Sequence, residues 1–301
     1  MNANRVAVAP ALRALLEHLV DYAGLFPPAS LAMGAAAAEY ASQRGSAHAW
    51  MLGRFVVPVG RLDELAREAA TLVGAQKEPW PLSVLVSADP AGDASVIREF
   101  DRAHADRFRV EAVELRAATT DAVEFALSQL DRSLECYVEL PLDEDPAPLL
   151  LAVKRHGARA KARTGGVTPD AFPPVETLAR FIAECARLDV PFKATAGLHH
   201  PLRGEQHLTY ETGSGTATMF GFLNVFVAAA LARSGADTPA LERVLVERDA
   251  DRFVLDDGAL RWGDFTLDAK DLATTRREFA VSFGSCSFRE PVDDLRHLSL
   301  L

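Results

Sequence analysis

The chain has 301 residues, of which 49% are hydrophobic and 25% are charged, and its formal net charge is −10. This composition predicts a globular protein with a sizeable core, and the length suits one large barrel or two ordinary domains. The excess of negative charge, without any basic stretch interleaved with aromatic residues, disfavours nucleic acid and anionic membrane surfaces as partners.

The sequence also disfavours membrane insertion and secretion. The best candidate for a membrane span, residues 219–232, is shorter than a bilayer requires. Arg13, Glu17 and His18 interrupt the N-terminal segment, which therefore lacks the compact apolar core of a secretory signal. Three cysteines without metal-type spacing argue against a disulfide framework and for a reducing compartment. We expect a cytoplasmic protein without a membrane partner.

Apolar, often β-branched segments alternate with helical segments along most of the chain. The helical period is clear in 175–188, where apolar residues fall on one face. Such alternation predicts a parallel sheet with helices outside it. Eight strands in one run, without a Gly-x-Gly-x-x-Gly after the first, favour an α/β fold of the closed (β/α)8 or TIM-barrel type over a dinucleotide-binding sheet. The predicted strands are 19–26, 50–59, 81–87, 110–117, 135–142, 158–164, 190–198 and 279–286.

The alternation breaks between about 203 and 275. This part contains a predicted apolar helix, 216–233, a predicted charged helix, 238–250, and the segment 253–267, where Asp-Asp-Gly between alternating residues predicts a β-hairpin. The glycine-rich residues 212–218 predict a loop and helix N-cap, with anion binding as the alternative. We therefore predict one domain over residues 1–301, with an α/β-hairpin insertion at 203–275 between strands seven and eight. The apolar helix belongs to the core or, alternatively, to the contact of a homo-oligomer.

Two lysines, Lys161 and Lys193, lie within predicted strands six and seven. Burial disfavours an ammonium ion and lowers its pKa, and two neighbouring lysines lower each other's pKa further. The free amine that results is the nucleophile that forms a Schiff base with a carbonyl compound. The alternative is that each ammonium pairs with a carboxylate or reaches solvent from a sheet edge.

Four strand motifs follow one another along the chain: Asp21 to Pro27, Lys161 to Gly165, Lys193 to Gly197 and Phe283 to Ser287. In this order they resemble the strand motifs of the deoxyribose-phosphate aldolase family. The resemblance implies a class I aldolase barrel in which Lys161 is the Schiff-base lysine and Lys193 is the second lysine. The chain departs from the family pattern at Glu114, which replaces an aspartate, and at Leu198, which replaces a glycine of the phosphate grip, so the family's substrate is not carried over.

In a (β/α)8 barrel the reactive groups gather at the carboxyl ends of the strands. We expect Lys161 to attack the carbonyl group of a small substrate while Lys193 keeps it deprotonated, and Glu114, with Asp21 beside it, to move protons. The reverse assignment, with Lys193 as nucleophile, stays open. The predicted catalytic residues are Asp21, Glu114, Glu139, Lys161 and Lys193.

An anionic group of the substrate has candidate partners at the same end of the barrel. Arg163 can hold a carboxylate or phosphate in two parallel hydrogen bonds, and glycine-rich strand ends can offer backbone N–H groups. The alternative for the glycines is that they only turn strands into loops. The predicted substrate-binding residues are Arg163, Thr164, Gly165, Gly166, Gly197, His199, Gly284 and Ser285.

Other functions remain open. A lyase or hydrolase that depends on a divalent metal would use His199, His200 and Glu139 as ligands, with His207 in addition, whereas the imine mechanism needs no cofactor. Cys286 is an alternative thiol nucleophile. A non-catalytic barrel that binds a small molecule is the third alternative.

Overall fold

The computed structural model describes residues 8–73 and 78–301. Parts of the predicted 1–301 domain, residues 1–7 and 74–77, lie outside the described residues. The strands are β1 (Val20–Tyr22), β2 (Leu52–Pro58), β3 (Trp80–Leu85), β4 (Phe108–Arg116), β5 (Glu135–Glu139), β6 (Arg159–Arg163), β7 (Phe192–Thr195), β8 (Gly204–His207), β9 (Thr216–Met219), β10 (Val254–Leu255), β11 (Ala259–Trp262), β12 (Phe265–Asp268) and β13 (Ala280–Ser285). The helices are α1 (Pro10–Leu16), α2 (Met33–Arg44), α3 (Leu62–Glu68), α4 (Ala70–Val73), α5 (Pro90–His104), α6 (Thr120–Gln129), α7 (Ala147–Arg155), α8 (Val175–Leu188), α9 (Phe222–Arg233), α10 (Thr238–Leu245), α11 (Ala269–Glu278) and α12 (Arg289–His297).

Eight parallel strands close into a barrel in the order β1-β13-β7-β6-β5-β4-β3-β2. The predicted (β/α)8 TIM barrel is confirmed, and each of the eight predicted strands overlaps one barrel strand, although β3 begins one residue and β4 two residues earlier than predicted. Strands covered on both faces are rich in apolar residues throughout, and this pattern is what made them recognisable. Helix α8 shows how the outer layer packs, because Leu178, Phe181, Ile182 and Cys185 on its predicted apolar face are buried.

The inside of the barrel is unusually polar for a packed core. Layers of branched apolar residues normally fill such a barrel, but here the buried residues on the strands include several charged and hydroxyl side chains. Lys161 on β6 and Lys193 on β7 are direct neighbours across the two strands, and Glu139 on β5 is the neighbour of Lys161 on its other side. The buried polar residues on the barrel strands include Asp21, Ser83, Glu114, Glu139, Lys161, Lys193 and Ser282.

The segment between β7 and β13 carries two small antiparallel sheets, β8–β9 and β10–β11–β12. The predicted loop at 212–218 is wrong in its second half, since Thr216–Met219 pairs with Gly204–His207 and the helix begins only at Phe222. The anion-binding alternative for 212–218 needed a helix that begins directly after this loop, and the structure has none there. The predicted hairpin at 253–267 is present, but a second reversal at Gly263, with φ of 55°, adds a third strand. The charged helix ends at Leu245, earlier than predicted.

Helix α9 belongs to the core. Its residues from Phe222 to Leu231 are buried on every side, and the Phe222 ring stacks on Phe283 of β13 with centroids 5.4 Å apart. Asn224 satisfies its amide inside the protein by donating to the carbonyl oxygens of Val244 and Glu247 at 2.7 and 2.8 Å. No helix in the described part of the chain is both long and apolar enough to cross a membrane.

Candidate active site

A cavity of about 490 Å³ opens at the carboxyl ends of the barrel strands. This is the end at which (β/α)8 enzymes carry their active sites. Most of its wall is apolar, from Phe26 and Pro27 after β1 to Leu85 and Leu115. Its polar lining consists of Glu114, Arg116, Glu139, Lys161, Arg163, Thr195, His199 and Cys286.

The floor of this cavity is built around Glu114. Lys161 Nζ donates to Glu114 Oε2 at 2.8 Å, and Lys193 Nζ donates to Glu114 Oε1 at 2.7 Å. The hydroxyl of Ser83 on β3 also donates to Glu114 Oε1, at 2.7 Å. Because Glu114 reaches both lysines, the two ammonium groups are separated by a carboxylate.

The same pattern continues at both ends. Lys161 Nζ lies 3.0 Å from Glu139 Oε2, and Lys193 Nζ lies 2.6 Å from Asp21 Oδ2. We call the sequence Glu139–Lys161–Glu114–Lys193–Asp21 the charge ladder. It contains the five predicted catalytic residues, which the fold brings together from five strands.

The ladder runs down into the barrel, so only part of it can meet a ligand. Glu139, Lys161 and Glu114 line the cavity, whereas Lys193 is almost fully buried below them beside the ring of Tyr137. Asp21 contributes instead to a second cavity, at the opposite end of the barrel. The prediction that Asp21 reaches the same mouth is therefore wrong: its carboxylate contacts Lys193 below the mouth.

The pKa of Lys193 moves against the direction expected from the sequence. Burial alone would lower the pKa of this ammonium, but the attraction of Asp21 and Glu114 outweighs burial and raises it. The expectation of a free amine at Lys193 is wrong, because the sequence does not reveal which carboxylates surround the lysine. Lys193 is a fixed positive charge.

The carboxylates of the ladder are held in their ionised form. Burial would raise the pKa of Glu114, but Lys161 and Lys193 together lower it well below its usual range. Burial would also raise the pKa of Glu139, but Lys161 and Arg163 outweigh burial and lower this pKa to about 2. Both carboxylates that line the cavity, Glu114 and Glu139, are thus negatively charged at neutral pH.

Two guanidinium groups flank Glu139 at the rim. Arg163 Nε donates to Glu139 Oε1 at 3.0 Å, as does Arg116 Nη2 at 2.6 Å. Both side chains remain partly exposed. Arg116 was missed from the sequence, although its position two residues after Glu114, at the end of β4, places it at this rim.

The glycine and hydroxyl residues at the carboxyl ends of β6, β7 and β13 divide into two groups. Gly166 and Gly284 line the cavity. Thr164, Gly165, Gly197 and Ser285 do not, and Thr164 uses its hydroxyl to donate to the carbonyl oxygen of Ala196 at 2.5 Å. For these four residues the structure favours the alternative interpretation, in which they shape the loops after β6, β7 and β13.

The two histidines after β7 have different surroundings. His199 lines the cavity and its Nδ1 lies 3.1 Å from Glu290 Oε2, whereas His200 Nδ1 lies 2.6 Å from Asp294 Oδ2. Both acidic partners belong to α12, and no sequence pattern pointed to them. Nothing in residues 8–73 and 78–301 groups three His, Cys, Asp or Glu side chains in a way suited to a metal ion, and His207 lies apart on the exposed β8–β9 hairpin.

Cys286 also lines the cavity, with its sulfur 3.5 Å from the hydroxyl of Tyr210. Burial raises the pKa of its thiol to about 11. A thiol that stays protonated at neutral pH is a poor nucleophile, so the structure gives the alternative of cysteine catalysis no support.

Fold and site together define a (β/α)8 barrel that carries, at the carboxyl ends of its strands, a lysine between two carboxylates. Comparison of the chain with protein-family models, curated protein sequences and solved structures gives no significant match. The resemblance to the deoxyribose-phosphate aldolase family therefore rests on its four motifs.

Proposed function

We propose that this protein is a lyase of the class I aldolase type, a divergent relative of the deoxyribose-phosphate aldolases, in which Lys161 forms an imine with a small anionic carbonyl compound. The observation that carries the proposal is the position of Lys161 on the floor of the cavity, 2.8 Å from Glu114 and 3.0 Å from Glu139. No second amine lines this cavity in the described part of the chain.

Lys161 must lose a proton before it can attack, and Glu139 is the acceptor that best fits this step. Glu139 lies at the rim, where the substrate enters, and at rest Lys161, Arg116 and Arg163 keep its pKa low. An anionic substrate that binds the two arginines weakens their hold on this carboxylate and raises its pKa, whereas Glu114 stays between Lys161 and Lys193. The free amine then adds to the carbonyl carbon, and the proton held by Glu139 leaves with the carbinolamine hydroxyl as water. A positioned acid or base of this kind typically accelerates such a step by about 10²–10⁴-fold.

Lys193 supports this step without touching the substrate. Its fixed charge, on the far side of Glu114, neutralises that carboxylate and so weakens its hold on the Lys161 proton. In this proposal Lys161 is the nucleophile and Lys193 the electrostatic helper.

The substrate class follows from the rim. Arg163 and Arg116 each carry five N–H groups, and their bonds to Glu139 leave others free for a carboxylate or phosphate. We therefore propose a 2-keto acid or a phosphorylated aldehyde as the carbonyl component. The three free cysteines support the proposal that the protein works in the reducing cytoplasm.

Borohydride trapping tests the proposal directly. The protein is incubated with pyruvate, acetaldehyde or glyceraldehyde 3-phosphate, reduced, and mapped by peptide mass spectrometry. We expect a covalent adduct on Lys161 that is strongest with the anionic compounds. The adduct should be lost in Lys161→Met and retained in Lys270→Met, which removes an exposed lysine. An unmodified Lys161 with every compound would refute the imine mechanism.

A further inference from the structure

A second polar group lines the same cavity, just after β7, the strand next to β6. His199 follows β7 and is buried to about nine-tenths, and its Nδ1 lies 3.1 Å from Glu290 Oε2 at the start of α12. Glu290 itself does not line the cavity. The Nδ1 edge of the imidazole is therefore engaged by protein on the side away from the cavity.

Glu290 is held in place by a second donor. The hydroxyl of Tyr210, in the turn of the β8–β9 hairpin, donates to the same Glu290 Oε2 at 2.8 Å. Burial would raise the pKa of the Glu290 carboxyl, but the hydrogen bonds from His199 and Tyr210 lower it. An ionised carboxylate on Nδ1 fixes the tautomer and the orientation of the ring.

We propose that His199 is a second acid–base residue of the cavity and that Glu290 is its positioning residue. With Nδ1–H donated to Glu290, the other ring nitrogen, Nε2, is an acceptor, and no described residue bonds to it. The lining position of His199 makes Nε2 available to a hydroxyl group of the substrate.

The inference rests on the proposed function for the reaction itself. The Lys161 imine of a 4-hydroxy-2-keto acid would present its hydroxyl group to Nε2. His199 takes the hydroxyl proton, the O–H electron pair forms the aldehyde C=O bond, and the C3–C4 bond breaks. Its electron pair moves into the iminium to give the enamine on Lys161. In the direction of synthesis the imidazolium returns the proton to the new alkoxide.

The neighbouring pair provides a matched control. His200 and Asp294 make the same type of contact one residue further along the chain and one helical turn further along α12, at 2.6 Å. His200 does not line the cavity. If such pairs only fasten the loop after β7 to α12, both should behave alike.

The first experiment needs no substrate. Long-range ¹H–¹⁵N spectra of the histidine-labelled protein report which ring nitrogen carries the proton in the neutral imidazole, with His199→Gln identifying the signal. We expect the proton of His199 on Nδ1 in the wild type and a large shift towards the Nε2–H tautomer in Glu290→Gln. Asp294→Asn should leave the His199 signals unchanged. A proton on Nε2 of wild-type His199 would overturn the inference.

The second experiment separates this inference from the proposed function. The probe is 4-hydroxy-2-oxopentanoate, whose cleavage gives pyruvate and acetaldehyde. We expect His199→Gln to lower the cleavage rate about 100-fold or more while borohydride still traps pyruvate on Lys161. Glu290→Gln should lose about 10-fold, and Asp294→Asn should stay within twofold.

Each outcome has a distinct meaning. Trapping that persists while His199→Gln cleaves within threefold of the wild type overturns the role of His199 and leaves the imine mechanism standing. Absence of any adduct in the wild type removes the proposed function, and the catalytic role of His199 with it. The tautomer spectra then still decide whether Glu290 positions the ring.

Discussion

At the scale of single residues, Glu139 joins the chemistry of the site to the stability of the protein. It accepts hydrogen bonds from Arg116 and Arg163 and lies in contact with Lys161, so its ionised form is strongly preferred in the folded state. In an unfolded chain a glutamate has a pKa of about 4.3. The folded protein, with a pKa for Glu139 of about 2, therefore releases this proton more readily than the unfolded chain does.

This difference predicts an acid-labile contribution to stability. Because the pKa of Glu139 is lowered on folding, its contribution is complete above about pH 4.3 and disappears as the pH falls towards 2. Each pKa unit corresponds to about 1.4 kcal/mol, so about 3 kcal/mol of the free energy of unfolding should be lost in this window. Urea titrations between pH 7 and pH 2 measure the loss.

Two variants make this pH prediction specific. Glu139→Gln should reduce the decline between pH 5 and pH 2 by about the same 3 kcal/mol. Glu176→Gln, at an exposed position near the start of α8, should follow the wild-type curve. Parallel curves for the wild type and Glu139→Gln would show that the carboxylate titrates in the same way in both states.

At the scale of elements, the chain comes into very close contact with itself just after β6 and β7. An added Cβ at Gly165 would lie 2.9 Å from the Cα of Gly197 and closer still to the ring of Phe172. Gly197 also has φ of 71°, in the region that favours glycine. These two glycines therefore let the two lysine-bearing strands end side by side.

Gly165→Ala should separate these strand ends. Overpacking of this kind costs about 1–3 kcal/mol, and thermal unfolding should detect it as a lower Tm. Gly60→Ala is the matched control, because an added Cβ there meets nothing within 4 Å, and its effect should stay within about 0.5 kcal/mol. A Gly165→Ala protein as stable as the control would mean that the loops separate without cost.

Some strands could be predicted from the sequence and others could not. The eight barrel strands were predictable because strands buried on both faces have continuous apolar runs that helices separate. The strand β9 was not, since Thr216–Met219 becomes a strand only by pairing with the polar residues Gly204–His207. Propensity does not reveal such a tertiary pairing.

The candidate site was predictable to a similar extent. Strand position and residue type pointed to Lys161, Lys193 and Glu114, because reactive groups gather at strand ends. The partners Glu290 and Asp294 on α12 were missed, since both lie more than 90 residues from their histidines and no spacing rule connects them. The upward shift of the Lys193 pKa was missed for the same reason, since the carboxylates that cause it, Asp21 and Glu114, are distant in sequence.

At the scale of the whole molecule, the charge ladder ties the first strand of the barrel to the rest. Asp21 on β1 and Lys193 on β7 are 172 residues apart in sequence, and β13 lies between their strands in the barrel order. The strand β1 has only three residues. The contact between Asp21 and Lys193 therefore holds β1 in the barrel in addition to its few backbone pairings with β2 and β13.

A double-mutant cycle measures this connection. Lys193→Met leaves Asp21 and Glu114 as buried charges without their partner, which typically costs about 3–5 kcal/mol. Asp21→Asn in the same protein removes one of these unpaired charges. In the wild type the backbone N–H of Arg54 donates to Asp21 Oδ1 at 2.9 Å, and the amide oxygen of the asparagine can still accept this hydrogen bond. The double variant should therefore be more stable than the sum of the single losses predicts, by about 1–3 kcal/mol.

The control for this cycle pairs Asp21→Asn with Lys270→Met, an exposed lysine on α11. Effects at distant, independent sites add to within about 0.3–0.5 kcal/mol, so this second cycle should show no coupling. If Lys193 and Asp21 were also additive, the charge of Lys193 would be neutralised by Glu114 alone. The ladder would then end at Glu114, and β1 would be held in the barrel by its backbone pairing and by the apolar packing of Val20 and Tyr22.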